Sequence, residues 1–169
     1  MTGKLRIISA FCLSILILAS VGFYAYRTTN EYGDTSEWVL HTQRVISTTQ
    51  NILLDIQAIE SSQRGYVITG NEKYLEPYEH SKQDFRGAFG EVKNLIKDNP
   101  SQKNLLDSIR RIIELKIEFA EEVILDRKNK GYESAQKLIM TDEGENLMTK
   151  LRASMNSFIA SEEYLLSER

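Results

Sequence analysis

Apolar residues recur three and four positions apart along nearly the whole chain, and the alternation of two that marks strands is missing. From Trp38 the positions Thr42, Val45, Thr49, Ile52, Ile56, Ile59, Gln63 and Tyr66 step by four and three in turn. That spacing makes a coiled-coil-like seam, widened here by Ile46, Leu53 and Val67. It predicts a helix over about 34–69, with Asp34 as N-cap and Glu37 closing a capping box. A second helix is expected over about 72–98, with Leu75, Tyr78, Phe85, Phe89, Val92 and Ile96 inward. Pro77 suits a first turn, which makes 72–76 a looser lead-in. Asn99 and Pro100 fit the cap and first residue of a third helix over 100–130, carrying Leu105, Ile109, Ile112, Phe119 and Val123, with Gly131 as its stop. A short helical piece, YESAQKLIM, then leads into a fourth helix over about 141–169, with Leu147, Leu151, Met155, Phe158 and Leu165 inward.

Ahead of the seam the pattern changes. Ile7 to Tyr26 gives 20 residues without a charge, enough to cross a bilayer core of roughly 30 Å as a helix. Lys4 and Arg6 precede it, so the expected orientation keeps residues 1–6 in the cytoplasm and exports everything after Arg27. The competing reading is a cleaved signal peptide, whose apolar region would be only about 7–15 residues long. The best small-x-small site, Ser20-Val21-Gly22, lies inside the apolar run, so the length argument favours an uncleaved anchor at a plasma or inner membrane. Residues 27–33 then form a short connector, in which Gly33 is a candidate hinge.

The expected architecture is all-α: an N-terminal transmembrane helix followed by an antiparallel, up-down four-helix bundle over 34–169. Helices of this length run on the order of 40–55 Å and match one another side by side. The tips at Gly70 and Gly131 should lie far from the membrane, and Asn99-Pro100 and Arg169 close to it.

Composition narrows the options. The single cysteine, Cys12, lies in the apolar run, so no intrachain disulfide is available and packing alone must stabilise the exported part. Setting Lys4, Arg6 and Arg27 aside leaves 18 basic against 24 acidic residues, a net of −6. That balance argues against nucleic acid or an anionic lipid surface as partner. The sequence holds no internal repeat, low-complexity tract or linker that would mark a second soluble domain.

Motifs in the first two helices carry a specific resemblance. "WVLHT" at 38–42 supplies Trp38, Val39, His41 and Thr42; "ESSQRGY" supplies Glu60, Arg64, Gly65 and Tyr66; "TG" and "YLEPY" supply Thr69, Gly70, Tyr74, Leu75 and Tyr78. Together with Glu162, Glu163, Leu166 and Arg169 in the last helix, they resemble the CHASE type-three domains, extracellular sensory modules of bacterial receptors. The resemblance implies a helical bundle outside the membrane, usually between two spans, that feeds a histidine kinase, a nucleotide cyclase or a chemoreceptor signalling region. No phosphoacceptor-type HE-x-x-x-P and no Gly-rich nucleotide loop occurs, so the chain is expected to be the input half of such a receptor.

Few titratable residues stand where they could carry chemistry of their own. Glu60 and Arg64 stand four apart on one helix face, and Glu60 falls at the spacing Ile46-Leu53-Glu60-Val67 beside the core. The plain reading is an internal ion pair that sets helix register; the sharper one makes Arg64 a ligand contact at the distal tip. Gly65 permits a close approach, and Gly70 suits the left-handed residue that ends a helix. His41 and His80, the only two imidazoles, have no partners at metal-ligand spacing, and His41 reads as a hydrogen-bonded interface residue. Glu60 and Glu162 are carboxylates facing a core, which by itself is not an acid–base pair. Lys73, Arg127, Lys128 and Lys130 read as a solvated tip, with an anion-binding cap as the alternative. No cofactor, metal or catalytic residue is expected.

Polar residues in the seams, Thr42, Thr49, Gln63, Lys82, Lys116 and Glu162, would weaken packing enough to allow a second register. The leading function is a sensory input domain that passes a shift of its first and last helices through the membrane in answer to an unidentified small-molecule or protein stimulus. The alternative is a membrane-anchored dimerisation or interaction module without a ligand. An exported enzyme has no residue constellation behind it. Homodimerisation along the first helix is expected under both leading readings.

Overall fold

The structure, a computed structural model, describes residues 2–168, with the side chains of residues 2, 4–10, 12, 25 and 27–36 outside the description. The expectations placed on Cys12, on the 27–33 connector and on Arg169 therefore fall outside the described residues. Among the described residues every regular element is helical. They are α1 (Thr2–Thr69), a 3₁₀ turn (Glu72–Tyr74), α2 (Leu75–Leu95), α3 (Pro100–Lys130), α4 (Tyr132–Ile139) and α5 (Glu143–Ser167). Residues 1–40 and 41–169 form two separate compact units.

In the first unit Phe11, Leu13, Ile15, Leu16, Ile17 and Leu18 are exposed. Among the described residues no helix is long and apolar enough to cross a membrane. The expected helix start at Asp34 is not found, because α1 already runs through that position. The stretch contains no proline, and one glycine costs a helix only about 1 kcal/mol, too little to end it.

The second unit has one main core, in which Val45, Ile52, Ile56 and Ile59 of α1 meet Tyr78, Phe85, Phe89 and Val92 of α2, Leu106, Ile109 and Ile113 of α3, and Met148, Leu151, Met155 and Phe158 of α5. The α1 seam is buried from Thr42 through Tyr66, and the Thr49 hydroxyl is satisfied by donating to the Val45 carbonyl at 2.8 Å. Trp38 departs from the expected seam, being 43 % exposed. Within the second unit α2 ends at Leu95, whose carbonyl accepts from His41 Nε2 at 3.1 Å.

Polar contacts tie neighbouring helices of this unit together. Arg44 of α1 donates to Glu91 of α2 at 2.7 Å, Lys82 of α2 donates to Glu121 of α3 at 2.6 Å, and Lys116 of α3 donates to the Gly144 carbonyl of α5 at 2.8 Å. His41 and Arg44 of α1 meet Leu95 and Glu91 of α2 in reverse order, so these two helices run antiparallel.

Local chemistry sets the boundaries. Gly70 closes α1 with φ 66°, its N–H donating to the Tyr66 carbonyl at 2.7 Å. Asn71 Oδ1 accepts the Lys73 N–H at 3.0 Å and starts the 3₁₀ turn, so the lead-in is tighter than α-helix and Pro77 sits inside the first turn of α2. α2 ends at Leu95 rather than at Asp98. Pro100 holds Asn99 extended (φ −116°, ψ 98°), and the chain must leave the helix before it. Asn99 Oδ1 then accepts the Gln102 N–H at 3.3 Å and caps α3.

Two details of α3 and α5 correct the expected pattern. The buried face of α3 follows a four–three alternation through Gln102, Leu106, Ile109, Ile113, Lys116, Ala120 and Val123, with Phe119 and Asp126 also buried, whereas Leu105 and Ile112 are half-buried. α5 begins at Glu143 rather than at Thr141, because Asp142 adopts a left-handed conformation (φ 58°) and turns the chain there.

Candidate functional site

Glu60 and Arg64, two of the motif residues of α1, belong to a polar cluster near its C-terminal end. Glu60 is 9 % exposed, and its Oε1 accepts from Arg64 Nη2 at 2.6 Å, the expected partner one turn on. A second cation comes from α3: Lys116 Nζ stands 3.2 Å from the same oxygen. Lys116 is 1 % exposed and also donates to the Gly144 carbonyl of α5. Arg64 reaches toward Glu145 Oε2 at 4.0 Å. One carboxylate thus links α1 to α3, and the lysine carries the link on to α5.

Burial pushes the Lys116 ammonium below the ordinary lysine range, the Glu60 carboxylate works against that shift, and the nearby Arg64 charge adds to it. The backbone is shaped around the lysine. A Cβ at Gly144 would come 2.8 Å from Phe119 Cε1 and 3.1 Å from Lys116 Nζ, so only glycine lets α5 approach α3 this closely. Beside the cluster opens a cleft of about 210 Å³ that Glu60, Arg64 and Lys116 line together with Gln63 and the first residues of α5. Gln63 is 3 % exposed, and its buried Nε2 has no hydrogen-bond partner.

The other motif residues lie in the turn after α1, along the α1–α2 contact and in α5. Tyr74 packs its ring on Gly65, and Tyr66 and Thr42 are buried. Thr69 Oγ1 donates to the Gly65 carbonyl at 2.7 Å and accepts the Asn71 N–H at 3.1 Å, closing the turn. Leu75 is half-buried, and Tyr78 is buried with Lys82 Nζ 5.1 Å from its ring centre. His41 ties α1 to the end of α2 as an interface residue. Glu162 is buried, but it lies 18 residues beyond Gly144 on α5, about 27 Å along the helix, so the structure does not bring it to Glu60. Glu163 is exposed and Leu166 half-buried.

The basic tip has a structural use. Arg127 Nε donates to the Val67 carbonyl at 2.8 Å, and Lys130 pairs with Asp126. Among the described residues no cluster of His, Cys, Asp and Glu could hold a metal ion.

Glu60's partner on α3 was not visible in the sequence, since a lysine within a run of apolar residues carries no mark of its partner. Gly144 and Asp142 were equally silent. The spacing 102-106-109-113-116-120-123 was the available signal, hidden because two of its seven positions are polar.

The comparisons with known proteins bear on what this scaffold is. The family model of the CHASE3 domain matches residues 35–169, most of the chain. The chain belongs to the CHASE3 domain family. Its match begins just ahead of the α1 seam and takes in every helix of the second unit. The CHASE3 chain is also similar in fold to the crystal structure of the Rhodopseudomonas palustris histidine kinase HK9 sensor domain, with a TM-score of 0.70 and 19 % identity, over 75 % of this chain and 99 % of that one. No curated protein matches it. This CHASE3 domain is a sensor domain and not a catalyst.

Proposed function

We propose that this CHASE3 domain is the extracytoplasmic input of a bacterial membrane receptor, with a sensor histidine kinase as its output. Residues 7–26 are its signal anchor, residues 1–6 are cytoplasmic, and residues 34–169 form an up-down four-helix bundle outside the membrane. The antiparallel packing of α1 on α2 and the contacts of α2 with α3 and of α3 with α5 support that bundle. The family membership carries the reading, and the Glu60–Lys116–Gly144 link gives it a mechanism.

α1 and α5 are the helices that would connect the bundle to the bilayer, and they meet α3 through one buried charged junction. A stimulus that alters that junction changes the register of α1 against α5. Packed cores respond by moving between discrete arrangements, so a small distal change becomes a slide or rotation of whole helices. Two copies pair along α1 in this reading.

Orientation is its first requirement. In a Cys12→Ser background, a cysteine introduced by Glu133→Cys on α4 should react with a membrane-impermeant maleimide in intact spheroplasts. Labelling that appears only after lysis would end the extracytoplasmic reading.

A further inference from the structure

The cleft beside Glu60 does not stand alone. Arg64 and Ile139 also line a second, apolar groove of about 250 Å³, with Val67 and Ile68 of α1 and Tyr132 and Met140 of the α4 region. A polar hollow and an apolar one therefore open on the same two residues. Ile68 and Met140 are 70 % and 72 % exposed, so the apolar half is open to solvent.

The polar half carries both signs of charge. On the donor side are the Arg64 guanidinium, only partly used by Glu60, and the Gln63 amide, buried without a partner for its Nε2. A buried donor left unpaired is costly, and the free space adjoining Gln63 is this cleft. The first turn of α5 adds the backbone N–H groups of Gly144 and Glu145, since Asp142 makes no side-chain cap bond to them and the Glu143 N–H goes to Thr141 Oγ1. On the acceptor side, beside the Glu60 carboxylate already held by Arg64 and Lys116, are the carboxylates of Asp142 and Glu145, which line the same hollow; Glu145 is held by Arg64 only at 4.0 Å. A ligand carrying only a carboxylate would face those two acids uncompensated, and one carrying only an ammonium would leave Gln63 unanswered.

We infer that the hollow and the groove form one binding site for an apolar α-amino acid, its carboxylate taken by Gln63, Arg64 and the start of α5, its ammonium by Glu145 and Asp142, and its side chain by the groove of Val67, Ile68 and Met140. The inference rests on the sensory reading for its purpose, though not for its chemistry. A ligand there touches α1 and α5 together and sits against the Lys116 junction, so occupancy acts directly on the link between them.

The test is calorimetric titration of the full chain in detergent with L-leucine and L-phenylalanine. At least one should bind saturably at one site. Its deaminated analogue (4-methylpentanoate or 3-phenylpropionate) and its decarboxylated analogue (isoamylamine or phenethylamine) should each bind at least about tenfold more weakly. Gln63→Met, which removes an unpaired buried donor, should weaken binding about tenfold while leaving the melting temperature unchanged or higher. Met140→Lys, at an exposed position, should weaken it through the other half of the site. The proposal is overturned if neither amino acid binds, if an analogue binds as tightly, or if both variants keep the original affinity. Failure here leaves maleimide labelling of the α4 tip unaffected, whereas a tip labelled only after lysis removes the sensory reading and leaves any measured binding in place.

Discussion

The ring of Tyr74 lies directly on the backbone of Gly65: a Cβ added to the glycine would stand 2.4 Å from Tyr74 Cδ1 and 2.6 Å from Cε1. Two residues nine apart, on either side of the Gly70 turn, thereby hold the 3₁₀ lead-in against the last turns of α1. This is the close approach that the Arg64-Gly65-Tyr66 motif permits.

Gly65→Ala should therefore lower stability by about 1–3 kcal/mol, the usual cost of forcing extra volume into a packed contact. In a Tyr74→Ala background most of that cost should disappear, because the ring is what the methyl meets. Denaturant unfolding followed by circular dichroism measures both. Equal costs in the two backgrounds would show that the glycine serves something other than Tyr74.

Gly70→Val should cost more than about 1 kcal/mol for a separate reason. The position has φ 66°, which a β-branched residue adopts only under strain, and a Cβ there would lie 2.7 Å from Arg127 Nη2. Gly70→Asn should be milder, since asparagine tolerates the left-handed region. An unchanged melting temperature for the valine variant would contradict the turn.

Two buried groups give alkaline stability opposite slopes. Burial holds Lys116 below its ordinary value of 10.5, so between its folded value and 10.5 the unfolded chain binds more protons and stability rises with pH. Burial, then the charges of Glu121 and Glu79, raise the Tyr78 phenol above its ordinary value of 10.0. Above 10.0 the unfolded chain therefore releases a proton that the folded one keeps, and stability falls as pH rises. Tyr78→Phe should remove the fall above about pH 10. It should also be neutral or stabilising near pH 7, because the Tyr78 hydroxyl is buried without a hydrogen-bond partner. Urea midpoints measured from pH 7 to 11 would reveal it, and an alkaline loss identical in both proteins would contradict the assignment.

How far the sequence could be read depended on what occupied each seam. In α1 the positions from Thr42 to Tyr66 alternate four and three with mostly apolar residues, so the buried face was legible. In α3 the same rule holds, yet Gln102 and Lys116 occupy two of its places, and the apolar neighbours Leu105 and Ile112 drew the face one residue to the side. The Glu60–Arg64 pair could be read because it is local to one helix. Lys116, 56 residues away, could not, because nothing in a single sequence couples a carboxylate to a lysine on another element. Asp142 was missed for a related reason: its left-handed conformation is set by where α4 and α5 must meet α3, whereas Gly70 and Gly131 announce theirs by lacking a side chain.

The account turns on Glu60 and Lys116 acting as one buried junction between α1 and the α3–α5 pair, and a double-mutant cycle measures that directly. Glu60→Leu and Lys116→Met should each destabilise the full chain by about 3–5 kcal/mol, since each leaves the other's charge buried with fewer partners. The double variant should cost at least about 1.5 kcal/mol less than the two singles together. Additivity to within about 0.5 kcal/mol would mean that the two side chains do not act as a unit, and the junction would not exist as described.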